Sequence, residues 1–191
     1  MILSNIDILQ AIAAGDIIVE PLAQLDPGKA PFNTTTVDLR LAPKITVPHV
    51  LPISQRLDRS YDPDFISRNS DEYSASESQP FVLRPNQFVL ANTIERVCLP
   101  MRPGRPVYAA RVEGKSSRSR LGMLVHLSAP TVHSGFVGPI TLEVVNLGPN
   151  SIQLVPDVYI CQLVFECVSG TPENAPNQFS GQTNPSGSRA A

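Results

Sequence analysis

Nineteen prolines are scattered through a chain of 191 residues, and no other feature limits its fold so strongly. Proline removes a backbone donor and interrupts regular elements, so long helices and a helical bundle are disfavoured and many short strands are favoured. The lack of Trp and an aromatic share of only 6% point the same way. Apolar residues accordingly arrive in pieces separated by turn residues: Phe81–Leu83, Phe88–Ala91, Val97–Leu99, Val107–Val112, Leu124–Leu127, Ile140–Val145, Ile152–Val155 and Val158–Val168. That spacing predicts an all-β sandwich or barrel-like roll. At 42% apolar and 17% charged residues, the chain can bury one core of ordinary size.

Ser4-Asn5-Ile6-Asp7 fits a capping box, followed by Ile8, Leu9 and Ile12 at helical spacing and Gly15 as a stop, which predicts one short N-terminal helix. Ile17-Ile18-Val19 and the alternating Val37-Asp38-Leu39-Arg40-Leu41 read as strands. Residues 43–80 are rich in Pro, Ser, Asp and Asn, and read as a long irregular surface excursion, functional or packed against a partner subunit. Residues 1–168 form the expected β domain. Residues 169–191 are almost entirely small and polar, and are expected to be a mobile terminus or a lid that orders over a ligand.

A net charge of −2 supplies no basic field, so duplex nucleic acid is an improbable partner. No apolar run reaches membrane-spanning length and the N-terminus lacks a signal pattern, so the chain is expected to be soluble and cytoplasmic. Cys98, Cys161 and Cys167 lack CxxC spacing and are expected to be buried or half-buried thiols, with no disulfide framework or zinc knuckle.

Glu113-Gly114-Lys115-Ser116-Ser117-Arg118-Ser119-Arg120-Leu121-Gly122 follows a strand and turns at Gly114. One helical turn from Ser116 would aim free N–H groups and two hydroxyls at one spot beside Lys115, an anion site suited to phosphates. Ser116 and Arg120 would then share a face. A polar capped surface turn explains the same residues equally well, and the spacing is not that of a Walker loop.

In Gly138-Pro139-Ile140-Thr141-Leu142-Glu143-Val144-Val145-Asn146, alternation puts Ile140, Leu142 and Val144 on one strand face and Thr141, Glu143 and Val145 on the other. A carboxylate there could exchange protons, its pKa set by burial and a nearby Arg120, or form a structural ion pair. His126, near a strand end, reads as a satisfied hydrogen-bonding residue.

These landmarks resemble the dCTP deaminases, which belong with the dUTPases to one trimeric all-β superfamily. The resemblance rests on Thr36-Val37-Asp38-Leu39-Arg40-Leu41, Gly114-Lys115-Ser116-Ser117 with Arg120-Leu121-Gly122, Val125-His126, Ala129, Gly135-Phe136, Gly138, Ile140-Thr141-Leu142-Glu143, Asn146 and Gln162-Leu163. It implies a dUTPase-like distorted jelly-roll or β-clip barrel, with a helical turn at the active site and sites between the subunits of a homotrimer. The activity it implies is hydrolysis of dCTP to dUTP and ammonia, feeding dTTP synthesis.

The zinc route to such a deamination uses an HxE and PCxxC signature, which this chain lacks. The resemblance assigns the general base and proton shuttle to Glu143, the water and base contact to Ser116, and support of charge to Arg120. It further assigns phosphate contacts to Lys115, Ser116, Ser117, Arg118, Ser119 and Arg120, base contacts to Thr141, Leu142 and Glu143, and a water-holding carbonyl to Ala129. No metal is expected on protein side chains; Mg2+ would arrive on the nucleotide. Binding of dTTP as an inhibitor is left open.

Three departures from the family pattern stand out. Lys115 replaces the usual Arg, keeping the charge and losing bidentate geometry. His133 replaces an Asp in the turn His133-Ser134-Gly135, so imidazole is left to contact the sugar, and a second, diphosphate-releasing activity is put in doubt. In Gln178-Phe179-Ser180-Gly181-Gln182, which looks like a K-Y-Q-G-Q closing motif, Gln178 replaces a phosphate-binding lysine while Gln182 is kept. Two other functions compete with the deaminase: a nucleotide-binding regulatory relative without turnover, and a dUTPase-type pyrophosphatase.

Overall fold

The computed structural model describes residues 1–52, 63–173, 175, 181–182 and 185–186. Helix α1 (Asn5–Ala13) begins where the sequence places its cap: Asp7 N donates to Ser4 Oγ at 3.2 Å and Ser4 N donates to the Asp7 carboxylate at 3.4 Å. Such a cap contributes about 1 kcal/mol. The helix buries Ile8 and Ala11 and ends at Gly15, whose φ of 71° suits glycine.

After it come β1 (Ile18–Glu20), β2 (Thr36–Pro48), α2 (Pro63–Arg68), β3 (Ser70–Ser74), β4 (Phe81–Leu83), β5 (Phe88–Cys98) and β6 (Tyr108–Gly114). The rest is α3 (Ser116–Ser119), β7 (Met123–Val125), β8 (Thr131–Val132), β9 (Val137–Asn146), β10 (Ile152–Leu154) and β11 (Tyr159–Cys167). One antiparallel sheet runs β7-β9-β5-β2-β11-β6-β8, with β1 added on β5 and β3 on β2, while β10 and β4 form a separate pair. The fold is mainly β, as the proline-broken pattern requires.

Strand β2 joins the two halves of the sheet. Thr36–Arg40 pair with β11, a register shift follows Leu41, and Ile45 and Thr46 pair with β5. This lets the sheet curl over one core that includes Leu39, Leu41, Ile45, Ala91, Leu142, Val144, Leu163 and Phe165. Full burial of each large side chain contributes about 1.5–3 kcal/mol.

Three local expectations change. Phe88–Ala91 and Val97–Leu99 are not separate pieces, because β5 runs unbroken from Phe88 to Cys98. The polar link is buried and satisfied: Thr93 Oγ1 donates to Glu95 O and accepts from Ile140 N, while Glu95 takes two hydrogen bonds from Arg40. Nor is 43–80 irregular throughout, since Lys44–Pro48 and Ser70–Ser74 pair as a ribbon. The β-branched run Ile45-Thr46-Val47 supplies the propensity that the surrounding Pro and Ser obscure. Cys161 is buried and Cys98 half-buried as expected, but Cys167, ending β11, is exposed. Among the described residues no helix is long and apolar enough to cross a membrane.

Candidate active site

Strand β6 delivers the chain to Lys115, whose extended backbone (φ −89°, ψ 129°) caps the single turn α3. Arg118 N and Ser119 N return to Lys115 O at 2.8 and 3.0 Å, and Arg120 N to Ser116 O at 3.1 Å. The N–H groups of Ser116 and Ser117 have no acceptor among the described residues. Ser116, Ser117, Ser119 and Arg120 are exposed and Arg118 is half-buried, so the turn presents hydroxyls, N–H groups and the Arg120 side chain outward. Arg120 makes no side-chain hydrogen bond or ion pair among the described residues.

Lys115 behaves differently from its neighbours. Its ammonium turns inward to Asp38 Oδ2 at 2.5 Å and lies 5.9 Å from the centre of the Tyr159 ring. Gln162, on β11, donates to Gly114 O at 3.3 Å, so the entry to the turn is held from two strands.

Glu143 stands on β9, where burial alternates strictly: Gly138, Ile140, Leu142, Val144 and Asn146 are inside, and Thr141, Glu143 and Val145 are half-exposed. The strand lies between β5 and β7, with Leu90 and Val125 aligned near Glu143. Leu127 N donates to Glu143 Oε2 at 3.3 Å and His126 N donates to Glu143 O at 2.8 Å. Among the described residues the carboxylate pairs with no cation. Thr141 Oγ1 donates to Asn92 Oδ1 at 3.2 Å. Leu142 is fully buried, so only its backbone can meet a ligand.

His126 sits at φ 65° and its Nε2 lies 2.6 Å from Ala129 O, which makes that nitrogen the donor. The expected hydrogen-bonding role is therefore seen, although Nδ1 is buried without a partner among the described residues. His133 is exposed beyond β8, in a turn closed by Phe136 N to His133 O at 3.1 Å. Gln182 is buried against its own chain, donating to Pro139 O at 3.1 Å, next to Gly181 N on Val137 O at 2.7 Å. Gln178 lies outside the described residues.

Within one chain the turn and the carboxylate are joined through backbone rather than side chains. Turn α3 packs on β7, β7 pairs with β9, and Leu147 N donates to Gly122 O at 2.8 Å. Gly122 and Gly148 cross so closely that a Cβ on Gly148 would lie 2.1 Å from Leu121 O. No hydrogen bond or ion pair links Ser116 or Arg120 to Glu143 among the described residues. Several supporting groups were missed in the sequence: Asp38, Asn33, Thr36, Asn92 and the N–H of Leu127. Of these, Thr36 and Asp38 stand in the family landmark Thr36–Leu41, and Asp38 is also a charged residue in the middle of an apolar strand. Among the described residues no three His, Cys, Asp or Glu side chains gather as a metal site.

A curled antiparallel sheet with a serine-rich turn at one strand end and a carboxylate on a central strand is the dUTPase-like fold. The 2'-deoxycytidine 5'-triphosphate deaminase of Agrobacterium tumefaciens shares it at a TM-score of 0.63 and 20% identity, over 86% of this chain and 47% of that longer one. A dCTP deaminase-like family model matches residues 2–168, and the chain belongs to this family. Curated relatives include the dCTP deaminase, dUMP-forming, of Methanosphaera stadtmanae, 33% identical over 96% of this chain and 91% of its own length. The dCTP deaminase of Haloarcula marismortui is 35% identical over 99% of this chain and 94% of its own.

Proposed function

We propose that this chain hydrolyses dCTP: water adds at C4 of the cytosine, ammonia leaves, and dUTP is the product. Glu143 takes a proton from the attacking water and returns it to the departing amine, with no metal on protein side chains and Mg2+ carried by the triphosphate. Ser116 contacts the water and base, and Arg120 offsets the negative charge that develops. General acid–base transfer contributes about 10²–10⁴-fold, so the remaining acceleration comes from orientation and fixed dipoles.

The observation that carries this reading is the state of Glu143. Its carboxylate is half-exposed on a rigid central strand, held by one backbone N–H and committed to no cation among the described residues. Thr141 lies two residues away on the same face, where a base would rest. Arg120 and Glu143 make no hydrogen bond or ion pair with each other among the described residues, in keeping with a complete site that forms between copies, in a homotrimer. Phe88 and Leu124, each aligned with Val145 and both exposed, give that face apolar surface for a neighbouring copy. With imidazole rather than a carboxylate at His133, the reaction stops at dUTP, which a pyrophosphatase elsewhere consumes on the way to dTTP.

Pure protein with dCTP and Mg2+ should release ammonia without pyrophosphate. Glu143→Gln should lower that rate by at least about 100-fold while calorimetry still detects dCTP binding. Ammonia release at the wild-type rate in this variant would remove Glu143 from the mechanism.

A further inference from the structure

The residue that opens the anion-binding turn is expected to grip phosphate, yet the structure occupies its ammonium elsewhere. Lys115 Nζ meets Asp38 Oδ2 at 2.5 Å, and Asp38 Oδ1 accepts from Asn33 Nδ2 at 3.0 Å. Asn33 Nδ2 also donates to Thr36 Oγ1 at 3.1 Å, Thr36 Oγ1 donates to Gln162 Oε1 at 3.1 Å, and Gln162 Nε2 donates to Gly114 O at 3.3 Å. The path leaves the turn at Lys115 and re-enters it at Gly114, the preceding residue. It is a closed circuit through β2 and β11 whose two ends flank one peptide bond.

We propose that Asp38 is a positioning residue and Lys115 its brace, so that the ammonium fixes the Ser116–Arg120 turn from behind and does not bind substrate phosphate. Three observations converge on this. The Asp38 side chain is 8% exposed and that of Lys115 22%, so the pair faces the sheet rather than solvent. The four turn residues that do face outward, Ser116, Ser117, Ser119 and Arg120, carry hydroxyls and a cation of their own. Finally, a buried carboxylate needs a fixed counter-charge, and exchanging it for phosphate at each turnover would strand Asp38. The inference rests on the deaminase reading for its catalytic consequence and on geometry alone for its structural one.

A double-mutant cycle separates brace from ligand. Asp38→Asn leaves an ammonium without its counter-ion and Lys115→Met leaves a buried carboxylate without its own. Each should lower kcat for ammonia release by about 10-fold or more, since small displacements of catalytic groups carry costs of that order. The double variant keeps an acceptor for Asn33 and an unbranched side chain of similar length at 115, and should recover to within about 3-fold of wild type, as paired removal of buried charges often does. Rates are compared at temperatures where circular dichroism shows each variant folded, so a loss of kcat there is not lost protein.

A double variant as defective as Lys115→Met, with KM for dCTP raised, would make Lys115 a phosphate ligand and overturn the proposal. Should a single variant fail to fold while the double folds and turns over, the brace is supported. Reductive methylation of the wild-type protein, read by mass spectrometry, avoids the folding question: Lys115 should react slowly and equally with and without saturating dCTP. Strong protection by dCTP would count against the brace. If the wild-type protein released no ammonia at all, the deaminase reading would fall, while non-additivity in the thermal midpoints of the same four proteins would still decide the pairing.

Discussion

Gly148→Ala is the sharpest perturbation the fold offers, because it adds one methyl group where two backbones touch. The new Cβ would sit 2.1 Å from Leu121 O and 3.2 Å from Asn146 Oδ1, against ordinary contact at 3.4 Å or more, so the two loop segments must part by about 1.3 Å. Neither neighbour yields easily. Leu121 O is main chain, and Asn146 is buried, accepting from Gly148 N and donating to Leu83 O and Asn150 O. Overpacking of this kind costs about 1–3 kcal/mol. For a chain of this length each kcal/mol lowers the midpoint by roughly 2–4 °C, so thermal unfolding should shift down by roughly 2–12 °C. The same displacement moves the Arg120 turn relative to the Glu143 strand, and ammonia release from dCTP should fall by about 10- to 100-fold. Calorimetric scanning and an ammonia assay on one preparation test both. A variant with wild-type midpoint and wild-type kcat would show that the glycine crossing is not a fixed joint.

Glu95→Gln should destabilise the fold by about 2–3 kcal/mol in urea titration. That is below the cost of breaking a fully buried pair, because Arg40 keeps Asp157 and some access to water; a loss under about 0.5 kcal/mol would mean that the carboxylate adds nothing net. Thiol labelling should rank the cysteines: Cys167 reacts first, Cys98 more slowly, and Cys161 only on unfolding. Burial pushes the Cys98 thiol above its ordinary value, so its labelling rate should keep rising to higher pH than that of a free thiol, and pushes the wholly buried Cys161 further still. Labelling of Cys161 in the native protein at the rate of Cys167 would contradict that packing.

Faces were legible in the sequence, and partners were not. Alternation along β9 placed Ile140, Leu142 and Val144 inward and Thr141 and Glu143 outward, because a strand's side-chain period is fixed by its backbone. Ser4 and Asp7 declared the helix start because capping is local. Lys115, by contrast, finds Asp38 at a separation of 77 residues, and nothing in the period of either strand names the other. The same holds for Glu95 and Arg40, 55 residues apart, which is why the polar middle of β5 read as a break. Charged residues inside apolar strands mark such unseen pairs without saying who completes them.

The seam strand β2 also imposes an order in time. Its first half is paired with β11, and the hydrogen bond from Thr36 to Gln162 spans 126 residues. A nascent chain therefore carries Thr36–Arg40, and β6 beyond it, as open edges until β11 has been synthesised. Closure is governed by the arrival of Tyr159–Cys167, as contacts of such long range make slow folders. A chain released before that segment would present two sticky ribbons to whatever the cell has nearby, so for this domain premature termination is a hazard of aggregation more than of missing activity.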